Sequence, residues 1–405
     1  MGILSTLFTG ASGLTSFGRA LSVIGNNIAN SNTVGYKSSQ AIFADLVADQ
    51  LGSGVYVSSV EGNLKQGTSS LTGNTLDLAI EGNGFFSVQA GTGLNFYTRN
   101  GQFHKNQDGN IVDSNGYALQ GYQADPSGLI GGTLGDINLS TATVPAKITD
   151  KATIQANVDA GAQIPTNPFN VDDPATYNYS TSLTVYDSLG QTHSLSLYFV
   201  KHDVAAGPPP TSTWNLHHQV DGGTATQDTD LVFDANGVLT SGGSQSVDLT
   251  LSGGATTPQS VALDLTAMTQ FGAPSAVIAL SQNGYGAGSL ERFAIGNDGA
   301  ITGTFSNNQS RKLAQVALTQ FASPVGLGRI GQNLFAETPD SGPPATGAPN
   351  SGGLGIVRSG AVELSNVDLG EEFVNMISVQ RGFQANSRVI TTSDELLNEL
   401  VNLKR

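Results

Sequence analysis

Residues 4–37 read LSTLFTGASGLTSFGRALSVIGNNIANSNTVGYK. Leu4, Leu7, Ala11, Leu14, Gly18, Leu21, Gly25 and Ile28 recur at alternating steps of three and four, an a/d seam that predicts a long helix. Phe8, Phe17 and Ile24 widen the seam, and the small residues at 11, 18 and 25 would let another helix approach closely. Arg19 is the only charged residue before Lys37; the opposite face is Ser, Thr, Gly and Asn. Such a neutral helix suits a place surrounded by protein. The stretch GNNIANSNTVGYK (25–37) then holds four asparagines and two glycines. These residues favour caps and turns over helix interiors. They predict the end of the helix, with Asn side chains serving its orphan backbone groups and Gly35 permitting a sharp bend.

The other end of the chain is built alike. DLGEEFVNMISVQRGFQANSRVITTSDELLNELVNLKR (368–405) opens with Glu371 and Glu372, which suit the positive end of a helix dipole. Phe373, Met376, Phe383, Ile390, Leu397 and Val401 follow at helical spacing, with Gln380, Ser387 and Asp394 interrupting the seam. Glycines cost about 1 kcal/mol each in a helix relative to Ala. With Gly18 and Gly25 inside it, the first helix is expected to be marginal by itself in water.

Between the ends the pattern is β. Asn83-Gly84, Asp108-Gly109, Asn115-Gly116, Asn236-Gly237, Asn283-Gly284 and Asp298-Gly299 are tight-turn signals. STSLTVYDSLGQTHSLSLYFV (180–200) reads as a hairpin about the turn DSLG. The expected fold is mixed α and β: paired N- and C-terminal α-helices form a coiled-coil-like inner domain, with two mainly-β outer domains, the second inserted into the first. The expected bounds are 1–35 with 365–405 for the helices and 36–70 with 350–364 for a connector. The first β-domain takes 71–145 with 282–349, and the inserted one 146–281.

Composition narrows the function. The net charge is −15, and the 17 Lys and Arg are scattered. Nucleic acid needs a basic patch, so neither it nor an anionic membrane surface is an expected partner. Without cysteine there are no disulfides, thiolate nucleophiles or Cys-based zinc sites. No secretory signal and no apolar run of membrane-spanning length is read. Alone this points to the cytoplasm, unless export uses a route without a cleaved signal. His217 and His218 are adjacent, and neighbours on a strand face opposite sides, which is poor for joint metal ligation. The Asp-Gly turns lack the spaced carboxylates of calcium loops, and GNG (82–84) lacks the third glycine of a dinucleotide fingerprint. No catalytic residue, metal ligand or cofactor is predicted.

IGNNIANSNTVGYK (24–37) resembles the signature that follows the first helix in flagellar rod and hook proteins. ELSNVDLGEEFVNMISVQRGFQANSRVITTSDELLNELVNL (363–403) is similar to that family's last helix, and GNGFFSVQ (82–89) with FYTRNGQFHKNQDGNIVDSNGYALQGY (96–122) to its β segment. Rod members are shorter and lack a large central insertion, so 146–281 favours the hook members. The resemblance implies an extracellular tube of one repeated subunit that joins motor rod to filament as a flexible, torque-transmitting joint. It implies as partners further copies of the chain, the distal rod protein, the hook cap, the hook-filament junction proteins and the flagellar type III export apparatus. Leu4, Leu7, Leu14, Leu21, Ile28, Phe373, Met376, Phe383, Ile390 and Leu397 become candidate assembly residues. Asn26, Asn27, Ala29, Asn30, Thr33, Gly35, Tyr36 and Lys37 carry the signature. A distal rod protein and a secreted β-rich adhesin or enzyme are the alternative readings.

Overall fold

In the computed structural model the described residues are 3–48, 52–140, 142–205, 207 and 209–403. The chain opens in helix α1 (Ile3–Ala29) and closes in helix α2 (Leu369–Leu403), with mostly β structure between them. Asp368 caps α2: its carboxylate accepts the Gly370 N–H at 2.8 Å and the Glu371 N–H at 3.2 Å.

The two helices run antiparallel. Gly10 lies against Ile390, Gly13 against Asn386 and Phe17 against Gly382, while Asn27 bonds Glu372. A Cβ on Gly13 would sit 2.7 Å from the Asn386 side chain, and one on Gly382 2.8 Å from the Phe17 ring, so the approach is close because these residues lack side chains. The small residues that permit it are therefore not Ala11, Gly18 and Gly25. Around a Cβ on Gly18 or Gly25 nothing lies within 4 Å. The buried stripe of α1 is Gly10, Gly13, Ser16, Ala20, Ile24 and Asn27, and Leu7, Leu14, Leu21 and Ile28 flank it half-buried. Each of Gly13, Ala20 and Asn27 stands one residue before an apolar seam position, a rotation of about 100° at 3.6 residues per turn. The Leu4 side chain lies outside the described residues.

A long antiparallel hairpin of strands β1 (Ser39–Ala48) and β2 (Gly52–Gly62) lies along α1. The Val55 N–H donates to Ser12 Oγ at 3.2 Å, and Ser16 Oγ donates to the Val55 carbonyl at 2.9 Å. Phe43 of β1 packs on Phe17, ring centres 5.7 Å apart. Part of the uncharged face of α1 is thus a docking surface for the hairpin. Both ends are helical and paired within one chain, where hairpin and partner helix supply burial that neither helix has alone.

The chain divides into two compact units. The first runs through Ala142 and takes in Arg292–Gly303 and everything from Ser310 on. Its β part pairs segments from both ends of the sequence: Leu78–Glu81 with Ile356–Ser359, and Ser69–Leu71 with Ala361–Glu363. Phe85, Tyr97, Phe321, Leu327 and Phe335 form an apolar cluster there. The second unit comprises Thr143–Glu291 and Thr304–Gln309. Two sheets in it share one core. Ile154, Val158 and Val261 come from one sheet, and Leu195, Phe199 and Trp214 from the other. The DSLG turn closes the antiparallel hairpin Tyr179–Tyr186 with Thr192–Ala205.

Asp108-Gly109, Asn115-Gly116 and Asn236-Gly237 each turn a paired hairpin, with the glycines at φ 84°, 81° and 77°. Asn83-Gly84 and Asn283-Gly284 do not. The strands on either side of each of these pairs join other partners, and Gly284 instead makes room for Thr149.

Candidate functional site

The signature residues gather where α1 ends. Asn30 Nδ2 donates to the Asn26 carbonyl at 2.9 Å and to Asn26 Oδ1 at 2.7 Å, and Thr33 Oγ1 donates to Asn30 Oδ1. These bonds close the last turn, with Ala29 and Asn26 left outward. Asn27 is buried and uses its whole bonding capacity. Its Nδ2 donates to the Ser39 carbonyl at 2.7 Å and to Glu372 Oε1 at 2.8 Å. Its Oδ1 accepts from the Ser39 N–H at 2.9 Å and from the Tyr36 hydroxyl at 3.3 Å. One amide thereby ties α1, α2, β1 and the turn together.

Gly35 makes the bend at φ 69°, a left-handed conformation that glycine adopts at little cost. Its N–H donates to the Glu363 carbonyl at 2.7 Å, and a Cβ there would meet the Asn100 backbone nitrogen at 2.4 Å. Lys37 then enters a buried ion cluster. Its Nζ lies 2.6 Å from Glu363 Oε1 and donates to the Lys65 carbonyl at 2.8 Å. Glu363 Oε1 also accepts the Gly67 N–H at 2.7 Å, and its Oε2 meets Arg99 Nη1 at 3.2 Å. The Lys37 and Glu363 side chains are each 1% exposed. Burial pushes the Lys37 amine and the Arg99 guanidinium below their usual ranges, against the pull of Glu363. Burial also pushes the Glu372 carboxyl up, opposed by the Asn27 bond.

Arg329 and Asn366 complete the junction. Arg329 donates to the Lys37 carbonyl at 2.7 Å, with its guanidinium 5.7 Å from the centres of the Tyr36 and Phe335 rings. Asn366 accepts the Ser38 N–H and donates to the Asn63 and Lys65 carbonyls. Sequence reasoning missed Glu363, Arg99, Arg329 and Asn366. The available signal was scarcity: in a chain only 12% charged, a Glu or Arg inside a β segment has a reason to be there. The arrangement holds the helix pair to the β part of its unit.

The candidate assembly residues divide by face. On α2, Met376, Phe383, Ile390 and Leu397 are half-buried along the α1 side, whereas Phe373 is half-exposed. Leu369, Val374, Ile377, Val389 and Leu396 are exposed with it.

In the second unit His193 bridges two carboxylates, Nδ1 to Asp221 at 2.6 Å and Nε2 to Asp187 at 3.3 Å. Its pKa is raised, as the two aspartates outweigh burial, and both aspartates are lowered. His217 stacks on Phe169 at 4.0 Å, while His218 bonds Asp228 at 2.9 Å, so the neighbours serve different contacts. Among the described residues no group of His, Cys, Asp and Glu is placed to hold a metal, and no helix is long and apolar enough to cross a membrane.

Comparison with known proteins covers nearly the whole chain. Residues 7–37 match the family described as "Flagella basal body rod protein" and 79–160 "Flagellar hook protein FlgE/F/G D1 domain". Residues 157–285 match "Flagellar basal body protein FlaE D2 domain" and 358–403 "Flagellar basal body rod FlgEFG protein C-terminal". The chain is 39% identical over 403 residues to the flagellar hook protein FlgE of Salmonella typhimurium, covering 97% of this chain and 98% of the relative. It is 34% identical over 448 residues to FlgE of Borreliella burgdorferi, covering 99% and 100%. The crystal structure of Helicobacter pylori FlgE2 has a similar fold, with TM-score 0.52 at 15% identity, covering 73% of this chain and all of that one.

Proposed function

We infer the role of this chain from one premise: it belongs to the flagellar hook protein family, whose members it matches along almost its whole length. It is a structural subunit of the flagellar hook. We propose that copies polymerise through the terminal helix pair into a curved, flexible tube that carries torque from rod to filament. The supporting observation is the outward face of α2, where Leu369, Phe373, Val374 and Ile377 are 43–67% exposed. Apolar area of this size gains about 25 cal/mol per Å² when covered, and neighbouring copies are the cover that a self-assembling family offers. The open stripe of α1, with Gly18 and Gly25 bare, lets a neighbour's helix come close.

In this reading 1–35 with 365–405 builds the channel wall and 36–70 with 350–364 connects it. The β-domain 71–145 with 282–349 lies outside the wall and carries 146–281 as an inserted outer domain. Leu7, Leu14, Leu21 and Ile28, half-buried in one chain, gain their remaining burial between copies. The distal rod protein bounds the tube on one side and the junction proteins on the other. Growth proceeds under the hook cap from chains delivered by the type III export apparatus.

Electron microscopy of the purified full chain tests the reading. Hollow curved tubes are expected. Short straight cylinders would favour a rod protein, and dispersed monomers at every concentration would overturn assembly altogether.

A further inference from the structure

α2 carries its charges in an order that the single chain leaves unused. With α1 on one side, the midline opposite holds Val374, Ile377, Arg381, Arg388, Glu395 and Glu399. At 100° per residue these six positions fall within about 60° of arc. Both arginines and both glutamates are exposed. Among the described residues none of the four has an ion-pair partner. Arg381, Arg388 and Glu395 recur every seven residues, too far apart to pair along one helix, where partners stand three or four apart. The stripe therefore presents a basic half followed by an acidic half, and each half lacks an opposite charge.

We propose that this stripe sets the axial stagger between neighbouring copies: Arg381 and Arg388 of one copy face Glu395 and Glu399 of the next. The occupant is a second copy of this chain, chosen by charge complementarity, and the inference rests on the hook reading above. Arg381 and Glu395 are 14 residues apart and Arg388 and Glu399 are 11. At 1.5 Å per residue a parallel neighbour slid by about 20 Å brings both pairs within reach of the flexible arginines at once. A parallel, unslid neighbour would set arginine beside arginine and glutamate beside glutamate. The contact is heterologous: one half of the stripe is used upward and the other downward, with the two neighbours on opposite flanks of the midline because the 35-residue helix is longer than twice the slide, so growth stays open. Exposed ion pairs add little to stability, but like charges opposed across a contact discriminate between registers.

Charge reversal in the full chain decides the matter. The one-sided variants Arg381→Glu/Arg388→Glu and Glu395→Arg/Glu399→Arg are compared with the fourfold variant carrying all four changes. All four positions face away from α1, so the monomers are expected to melt with the native chain. Each one-sided variant should raise the concentration needed for tube formation at low salt at least tenfold. The fourfold variant, its halves exchanged, should return to within about threefold of the native chain. One-sided variants that polymerise normally, or a fourfold variant no better than they are, would overturn the stagger while the native chain still forms tubes. Failure of the native chain itself would instead overturn the hook reading and this inference with it. Rescue of closed dimers in place of tubes would mean antiparallel pairing and would also overturn it.

Discussion

Replacing Glu363 by Gln removes the only anion in a cluster that buries two cations. Lys37 Nζ loses a partner at 2.6 Å and Arg99 Nη1 one at 3.2 Å, with the lysine side chain 1% and the arginine 6% exposed. Breaking a buried pair by neutralising one member costs about 3–5 kcal/mol, because the other charge stays buried. Gln keeps one acceptor for the Gly67 N–H, so the low end, about 3 kcal/mol, is the expected loss, or more than a hundredfold in the local opening equilibrium. A chain of two compact units need not unfold in one step, so the readout is amide exchange of the full-length monomer. Gly67 and Ser38 should exchange faster by that factor, with Leu197 in the second unit as the unchanged control. The sign with pH follows from Lys37, whose pKa burial already lowers. Without Glu363 the folded state sheds the Lys37 proton first. The unfolded state then binds more protons, and the variant regains stability as pH rises toward the ordinary lysine value. Lys37→Met in the same chain should recover part of the loss. Exchange within threefold of native at Gly67, or a loss that grows with pH, would refute the view that Glu363 pins the junction.

Gly35→Ala combines a left-handed backbone, costing about 1–2 kcal/mol for a residue with a Cβ, with a Cβ 2.4 Å from the Asn100 nitrogen. It should lower the first melting transition by well over the effect of Gly18→Ala, which meets open space. Gly382→Ala drives a methyl to 2.8 Å from the Phe17 ring and should cost about 1–3 kcal/mol as overpacking, read as faster exchange in both helices. His193 should give the second unit a window of maximal stability. Its raised pKa stabilises fully below about 6.5 and fades as pH climbs through the folded value, while the lowered Asp187 and Asp221 stabilise above about 3.9 and fade on acidification. Thermal unfolding of His193→Gln against native across pH should converge at alkaline pH and diverge near pH 5.

What the sequence made legible were features written in local pattern. The heptads of α1, the acidic first turn of α2 and the Asp-Gly and Asn-Gly hairpins at Gly109, Gly116 and Gly237 needed only neighbours a few residues away. The partners of those elements were not legible. Which stripe of α1 faces α2 depends on Gly10, Gly13 and Gly382, residues whose value is the absence of a side chain, and no apolar period marks them. The neutral face of α1 read as one covered by protein, but nothing local said that the cover over Ser12 and Ser16 is the hairpin edge. The signature was visible as an oddity, but its meaning lay 326 residues away in Glu363. Asn283-Gly284 failed as a turn for the same reason: its surroundings are set by Thr149, not by its neighbours.

Polymerisation through the paired terminal helices is the step on which the proposed role rests. A density map of the assembled full chain tests it most directly. The expected map is a hollow tube whose wall is α1 and α2, with Phe373 and Ile377 covered by neighbouring copies. A tube walled by the β units with the helices free, or Phe373 and Ile377 still facing solvent, would contradict it.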